Sequence, residues 1–188
     1  MNNNQILIDM DGVIADFEKG FLQNWRKKYP TSPYVPLNKR STFYIIEDYP
    51  NELRDQVQGI YLEKGFIASL PEVEGAINAL NEMATAGFKV KICTSPLSNY
   101  KNCVEEKYEW VDKHLGHDWT KDIILVKDKT QVLGMTLIDD RPEIRGEFEG
   151  VWEHVIFDRP YNKHIINKRR LNNWASWKKL FSIPNQPN

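Results

Sequence analysis

The chain has 188 residues, 41% of them hydrophobic and 27% charged, which is typical of one folded domain with at most a modest insertion and excludes two full-size domains. Its 25 Lys and Arg residues nearly balance its 26 Asp and Glu residues, which argues against binding of nucleic acid or a membrane through a general basic surface. Two cysteines are too few for a disulfide framework, and no secretion signal or apolar run of roughly 20 residues occurs, so we expect a cytoplasmic location.

The first part of the chain predicts a strand and two helices. Residues 5–8 are mostly apolar and predict a short buried strand that delivers Asp9 to its carboxyl end. Aromatic and aliphatic residues recur about every four positions over residues 17–29, and Pro30 ends the amphipathic helix that they predict. Residues 30–50 are irregular and aromatic, and a second helix is predicted over residues 52–64.

After Pro71 the predicted helices and strands alternate to the end of the chain. The predicted helices are residues 73–85, 104–115 and 170–181, and the predicted strands are residues 88–93, 123–126, 136–138 and 154–157. This alternation predicts an α/β fold of the Rossmannoid kind, a parallel sheet with helices on both faces.

Residues 17–70 interrupt this core between its first and second strands. The stretch is too long and too apolar for a loop, so we predict a small helical cap. Residues 1–16 and 71–188 then form the core domain. Open α/β sheets bind ligands at the carboxyl edge of their strands, and we expect the cap to lie over that edge.

Three predicted strands end in polar side chains, and parallel strands would bring those ends to one edge of the sheet. The side chains are Asp9 and Asp11, Thr94 and Ser95, and Asp139 and Asp140. Four carboxylates gathered there would repel one another unless a cation balanced them, and oxygen ligands in an incomplete protein shell suit Mg²⁺. The sequence therefore predicts a magnesium site.

Each of these features has an ordinary structural explanation when it is taken alone. An acid at a strand end often caps a helix or forms a turn. Lys107 lies on a charged helix, where a lysine is usually solvated, although its ammonium could also point back toward the sheet edge. The combination of three strand ends with complementary chemistry is what favours a functional site.

Four motifs follow one another along the chain: Asp9-Met10-Asp11, Thr94-Ser95, Lys107 and Asp139-Asp140. In residue type and order they resemble the four motifs of the haloacid dehalogenase (HAD) superfamily of aspartate-nucleophile phosphatases. More narrowly, residues 9–17, 92–96, 106–111, 128–130, 137–142 and 152–155 resemble the 5′(3′)-deoxyribonucleotidase family. These segments are spread over almost the full length of the chain. The resemblance implies a HAD-like fold.

The resemblance also implies a two-step phosphatase mechanism. Asp9 would attack phosphorus to form an aspartyl-phosphate, and Asp11 would protonate the leaving oxygen and then activate water. Asp9, the main-chain carbonyl of Asp11 and the Asp139-Asp140 pair would hold Mg²⁺, with either acid of the pair as the direct ligand. The phosphoryl oxygens would be bound by Thr94, Ser95 and Lys107.

The implied substrate is a nucleoside monophosphate, whose base and sugar would contact the cap. The matching positions are Phe17, Phe43, Tyr44, Ile45 and Tyr61 in the cap, together with Lys127 of the core. Stacking on such aromatic residues contributes about 1 to 3 kcal/mol per base without choosing among bases. Ser98 and Lys127 replace a lysine and an arginine of mitochondrial relatives, and Tyr44 and Tyr61 replace tryptophans, so base and sugar preference are not implied.

Three alternative functions stay open. The same motifs would serve a phosphatase for another small phosphate monoester. A phospho-acceptor receiver module gathers similar side chains, although its paired acids come early in the chain and it has no cap. A nucleic-acid end-processing phosphatase would need the basic cluster Lys163, His164, Lys168, Arg169 and Arg170, for which a solvated helix start is the simpler explanation. A homodimer is also left open.

Overall fold

A computed structural model describes residues 4–181, which contain one parallel sheet of six strands in the order β3-β2-β1-β4-β5-β6. The strands are β1 (Gln5–Ile8), β2 (Lys89–Thr94), β3 (Ile123–Leu125), β4 (Thr136–Asp139), β5 (Glu153–Phe157) and β6 (Arg170–Leu171). Every neighbouring pair is parallel, so the carboxyl ends of the strands meet at one edge. The predicted α/β fold with a parallel sheet is confirmed.

The described chain contains four α-helices and several short 3-10 helices. The α-helices are α1 (Phe17–Lys28), α2 (Arg54–Tyr61), α3 (Ala76–Thr85) and α4 (Cys103–Leu115). Their bounds lie within three residues of the predicted ones. Helix α1 begins after Asp16, whose carboxylate accepts a hydrogen bond from the Lys19 main-chain N–H at 3.1 Å. Between residues 4 and 181, no helix has both the length and the apolar character that crossing a membrane requires.

The prediction of a helix over residues 170–181 is wrong. Arg170–Leu171 instead pairs with the end of β5 as strand β6, and Trp174–Lys179 forms a 3-10 helix. The spacing of Trp174 and Trp177 fits either kind of helix, and tertiary hydrogen bonds decide between them. The Trp174 indole donates to the Val13 carbonyl at 2.9 Å, and the Trp177 indole donates to a Glu82 carboxylate oxygen at 3.0 Å.

Apolar side chains cover both faces of the sheet. On one face, Ile6 and Ile8 join a large core cluster that includes residues of α1, α3 and α4. On the other face, Leu7 packs in a small cluster with Cys93 and Leu137. This second cluster is covered by Val132, Ile144 and Trp152. These residues come from the segments before and after β4, which contain no α-helix.

The segment between β1 and β2 that was predicted as a cap holds α1, three 3-10 helices and α2. Its two ends are tied together by main-chain hydrogen bonds, from Asp16 N–H to the Pro71 carbonyl at 2.7 Å and from Val73 N–H to the Ile14 carbonyl at 2.8 Å. Inside the segment, the buried Arg40 guanidinium pairs with the carboxylates of Glu18 and Asp48. These contacts fix the geometry of residues 17–70.

Glu106 of α4 anchors the end of this segment to the core. Its buried carboxylate accepts hydrogen bonds from the main-chain N–H groups of Gly65 at 2.7 Å and Ile67 at 3.0 Å, and from the Tyr100 hydroxyl. We expect Glu106→Gln to lower the free energy of unfolding by about 2 kcal/mol, because one amide nitrogen would face donors that need an acceptor. Urea unfolding measures this loss.

The neighbouring exposed Glu105 provides the control, since Glu105→Gln removes a charge on the same helix without touching these donors. Equal unfolding midpoints for the two variants would contradict an anchoring role for Glu106.

Candidate active site

The carboxyl edge of the sheet brings together acids from two neighbouring strands. Asp9 follows β1, and Asp139 ends β4. Asp9, Asp139 and Asp140 each offer one carboxylate oxygen, and these three oxygens lie within 4.8 Å of one another. All three side chains are buried. The side chain of Asp11 does not join this group and instead contacts Lys107.

Lys129 lies between two of these acids, a contact that the sequence analysis missed. Its ammonium nitrogen is 2.7 Å from Asp9 Oδ1 and 2.6 Å from Asp139 Oδ2, and the residue is only 7% exposed. Burial by itself favours the neutral amine, but the carboxylates of Asp139 and Asp9 outweigh it and raise the pKa of Lys129. The site therefore holds a fixed positive charge beside Asp9.

Lys107 reaches the site from α4 rather than pointing to solvent. Its side chain is fully buried, and its ammonium donates hydrogen bonds to Asp11 Oδ2 at 2.6 Å and to Thr94 Oγ1 at 3.0 Å. This placement joins the second acid of the Asp-x-Asp run to the end of β2. A buried lysine held in this way is not the solvated side chain that a charged helix would suggest.

The acid cluster has an excess of negative charge that suits a divalent cation. Burial raises the pKa of Asp9, although the Lys129 ammonium opposes that rise. Burial and the charges of Asp139 and Asp9 raise the pKa of Asp140 well above its usual range. Within the described residues, the buried Asp140 Oδ1 has no hydrogen-bond partner. A hard cation would take such an oxygen as a ligand and relieve the repulsion, so the donor set fits a divalent metal.

Ser95 and Lys127 lie next to this cluster but use their polar atoms on the protein itself. The Ser95 hydroxyl donates to the Val126 carbonyl at 2.7 Å. The exposed Lys127 ammonium donates to Ser98 Oγ at 2.8 Å and to the Pro96 carbonyl. Both side chains line the cavity that contains Asp9 and Thr94, and two of the predicted base-binding residues, Phe43 and Tyr44, line it as well.

Two adjoining cavities open at this edge, and they share Asp11, Phe43, Tyr44 and Leu97 in their linings. The first holds the polar groups at Asp9, Thr94 and Lys129. The second is lined by all of the aromatic and apolar residues predicted to contact a base, namely Phe17, Phe43, Tyr44, Ile45 and Tyr61. An apolar cavity beside an ionic one can accept a molecule with a planar ring at one end and an anionic group at the other.

Comparison with known proteins decides the family. The family model described as 5′ nucleotidase, deoxy (Pyrimidine), cytosolic type C protein matches residues 3–185. The chain belongs to this deoxyribonucleotidase family. It is 47% identical over 177 residues to a Bordetella pertussis protein that bears a 5′(3′)-deoxyribonucleotidase name, covering 94% of this chain and 95% of that protein. It is 43% identical over 185 residues to the human 5′(3′)-deoxyribonucleotidase of cytosolic type, covering 94% and 92% of the two chains.

Solved structures give the same fold for this deoxyribonucleotidase family member. Magnesium-bound YfnB from Bacillus subtilis, which is named as a HAD-hydrolase, superposes with a TM-score of 0.60 at 13% identity, over 96% of this chain and 99% of that chain. The HAD-like fold implied by the motifs is confirmed. The family and the fold together make the chain a phosphoric monoester hydrolase of the nucleotidase class.

Two further residues of this nucleotidase site were missed by the sequence analysis. Arg141 follows the acid pair, and its guanidinium stacks 5.2 Å from the ring centroid of Phe43 and donates to the Tyr44 hydroxyl at 2.8 Å. Tyr161 donates its hydroxyl to Asp140 Oδ2. A strand-end signal was available for Lys129, because Lys127, Asp128 and Lys129 all lie within four residues of the end of β3, at the same edge of the sheet.

The basic cluster near the end of the nucleotidase chain is largely paired. Lys163 and Arg170 both contact Asp158, Arg169 contacts Glu153 at 2.9 Å, and Lys168 donates to the Pro142 carbonyl at 3.0 Å. The helix start that was expected to explain this cluster is absent from the described chain. The cluster gives no support to the nucleic-acid alternative, because acids on the same surface neutralise part of its charge.

Proposed function

We propose that this enzyme is a Mg²⁺-dependent 5′(3′)-deoxyribonucleotidase that hydrolyses nucleoside monophosphates through an aspartyl-phosphate on Asp9. The observation that carries the proposal is the pair of adjoining cavities, one ionic and one aromatic, joined at Asp11 and Tyr44. The family membership supports the same substrate class.

Asp9 is the nucleophile in this proposal. A carboxylate oxygen of Asp9 attacks phosphorus, the ester P–O bond breaks, and Asp11 gives a proton to the departing sugar oxygen. Asp11 then takes a proton from water as that water attacks phosphorus, the Asp9–phosphorus bond breaks, and phosphate leaves. The contact of Asp11 with Lys107 at 2.6 Å holds the carboxyl in place for both proton transfers.

Four cationic or polar side chains bind the phosphoryl oxygens in this proposal. The Lys107 ammonium contacts Asp11 at 2.6 Å, and the Lys129 ammonium contacts Asp9 at 2.7 Å. The Thr94 hydroxyl is held by Lys107 at 3.0 Å, and Ser95 stands beside it. Fixed donors of this kind stabilise charge that develops on the phosphoryl oxygens without reorganising during the reaction.

We assign three groups as Mg²⁺ ligands, namely the Asp9 carboxylate, the Asp140 carboxylate and the main-chain carbonyl of Asp11. Asp139 is placed behind them, because its Oδ2 is bound by Lys129 at 2.6 Å and its Oδ1 by the Arg141 main-chain N–H at 2.8 Å. Asp140 keeps one buried oxygen without a partner within residues 4–181. When bound, Mg²⁺ offsets the charge of the phosphoryl oxygens during in-line transfer.

The core and cap division is also proposed, with residues 1–16 and 71–188 as the core and residues 17–70 as the cap. In support, the five predicted base-binding residues of this segment line one cavity with Asp140 of the core. A cytoplasmic location and a homodimer stay predictions, the first of them in line with the cytosolic type of one human relative.

A substrate panel tests the proposal against phosphatases for other small monoesters. We expect phosphate release from deoxynucleoside 5′- and 3′-monophosphates with kcat/KM at least about tenfold above that for ribose 5-phosphate or glycerol phosphate, as one stacked base provides. Chelation of divalent metal should stop the reaction, and Mg²⁺ should restore it. A preference for the esters that lack a base would point to the alternative substrate class.

Tyr44→Ala should separate base recognition from phosphate chemistry. Tyr44 is 51% exposed at the junction of the two cavities. Loss of a stacking ring weakens binding by about 1 to 3 kcal/mol, so we expect KM for a deoxynucleoside monophosphate to rise by about 5- to 150-fold while kcat/KM for ribose 5-phosphate stays unchanged. Steady-state kinetics on both substrates measures this difference.

Tyr34→Ala is the matched control for this substitution. Tyr34 is also an exposed tyrosine of the same segment with an arginine over its ring, Arg26 at 5.0 Å, but it is not in the lining of either cavity. A similar rise in KM for Tyr34→Ala, or an equal loss on both substrates for Tyr44→Ala, would refute a base contact at Tyr44.

A further inference from the structure

Tyr161 lies where the inserted segment meets the acid cluster. It belongs to the 3-10 helix Pro160–Asn162, which follows β5 at the carboxyl edge of the sheet. The residue is 3% exposed, and its hydroxyl donates to Asp140 Oδ2. A tyrosine hydroxyl buried at this depth needs a partner, and here the partner is one of the clustered carboxylates.

The same short helix holds Asp140 at a second point. The Asn162 side-chain amide donates to the Asp140 main-chain carbonyl at 2.8 Å, and also to the Phe157 carbonyl at 2.8 Å. The Asp140 carboxylate also stands close to the turn after Asp9. A Cβ atom on Gly12 would lie 2.2 Å from Asp140 Oδ2, and Gly12 has φ +78°, so only a glycine leaves room for the carboxylate in this position.

The ring of Tyr161 is itself fixed from the side of the inserted segment. The Arg40 guanidinium lies 5.6 Å from the ring centroid, and the Phe43 ring packs edge-on with its centroid at 6.0 Å. Arg40 is held in turn by Glu18 and Asp48. The hydroxyl therefore points at Asp140 from a ring that has little freedom to rotate away.

We propose that Tyr161 is a positioning residue that orients the Asp140 carboxylate for metal binding, with Oδ2 taken by the hydroxyl and Oδ1 left as the ligand atom. Repulsion from Asp9 and Asp139 would otherwise turn this carboxylate away from the cluster. Groups that orient a metal ligand in this way commonly contribute 10- to 100-fold, roughly, to metal affinity. This inference rests on the proposed function, because it takes Asp140 as a Mg²⁺ ligand.

Tyr161→Phe tests the inference, since it keeps the ring and removes only the hydroxyl. We expect calorimetric titration of the metal-free protein to give a Kd for Mg²⁺ raised by about 10- to 100-fold, and the same factor for Mn²⁺. The Mg²⁺-dependent rise in Tm should need correspondingly more metal. At saturating Mg²⁺, KM for a deoxynucleoside monophosphate should stay within about twofold of the wild-type value, because the ring still packs against Phe43.

Tyr100→Phe is the control for loss of a buried tyrosine hydroxyl that donates to a buried carboxylate. Its partner is Glu106, which lies outside the acid cluster. We expect this variant to lose stability and to keep the wild-type Kd for Mg²⁺. An unchanged Kd in Tyr161→Phe, with or without a lower Tm, would overturn the positioning role. Wild-type protein that binds neither metal would overturn the proposed function together with this inference.

Discussion

Asp9→Asn is expected to lower kcat for deoxynucleoside monophosphates by at least about 10⁴-fold, because an amide oxygen is too weak a nucleophile to attack phosphorus. The fold should survive. Asparagine keeps an oxygen for the Lys129 ammonium, now 2.7 Å from Asp9 Oδ1, and it removes a buried charge that burial already disfavours. Phosphate release and urea unfolding of the same preparation measure the two effects.

Asp11→Asn gives the informative comparison. This variant keeps the nucleophile but removes the group that we assign to both proton transfers, so the aspartyl-phosphate should form slowly and also be hydrolysed slowly. Rapid quenching with labelled substrate should then detect a phosphorylated protein that decays slowly. Asp16→Asn changes the N-terminal cap of α1 instead and serves as the control for a general loss of structure. Retained turnover in Asp9→Asn would exclude covalent catalysis by Asp9.

The strand ends explain why much of the site could be predicted from the sequence. A short apolar run that ends in acids, such as residues 5–11, predicts both the strand and the position of its functional groups, because all strands of a parallel sheet point the same way. Asp9 and Asp139 come from neighbouring strands for this reason. The end of β3 carries a functional group in the same way, because Lys129 follows it by four residues.

Other parts of the site depend on contacts that no local pattern encodes. Tyr161 reaches Asp140 across 21 positions of the chain, and Arg141 reaches Tyr44 across 97. Neither contact follows from periodicity, since a periodic pattern indicates which face of an element is buried and not which distant side chain it meets. The sequence could predict which strand ends meet, but not that Tyr161 and Arg141, both outside the inserted segment, would contact Asp140 and Tyr44 there.

The final helix shows the same limit in the fold. Residues 170–181 carry tryptophans at a helical spacing, yet Leu171 pairs with Phe157 as an edge strand and the Trp174 indole reaches back to Val13. Long-range hydrogen bonds outweigh the local preference here, because a helix is only weakly specified by one short apolar repeat.

Lys129→Met is expected to be the most damaging change outside the acids. The substitution leaves Asp9 and Asp139, now 2.7 and 2.6 Å from the ammonium, as buried carboxylates without that charge. We expect kcat/KM to fall by about 10²- to 10³-fold through loss of a fixed charge at the phosphoryl group. The metal-free protein should lose about 3 to 5 kcal/mol of unfolding free energy, because a buried ion pair is broken from one side.

Urea unfolding of Lys129→Met at increasing Mg²⁺ concentration distinguishes this electrostatic explanation from simple misfolding. Mg²⁺ bound at Asp9 and Asp140 would offset part of the uncompensated charge, so urea unfolding of Lys129→Met should gain more stability from Mg²⁺ than the wild type does. Lys121→Met, which removes an exposed lysine paired with Asp118 at 2.8 Å, should change neither quantity. Wild-type kcat/KM in Lys129→Met would show that the ammonium beside Asp9 takes no part in phosphoryl transfer, and Lys107 would then be left as the lysine that neutralises the substrate.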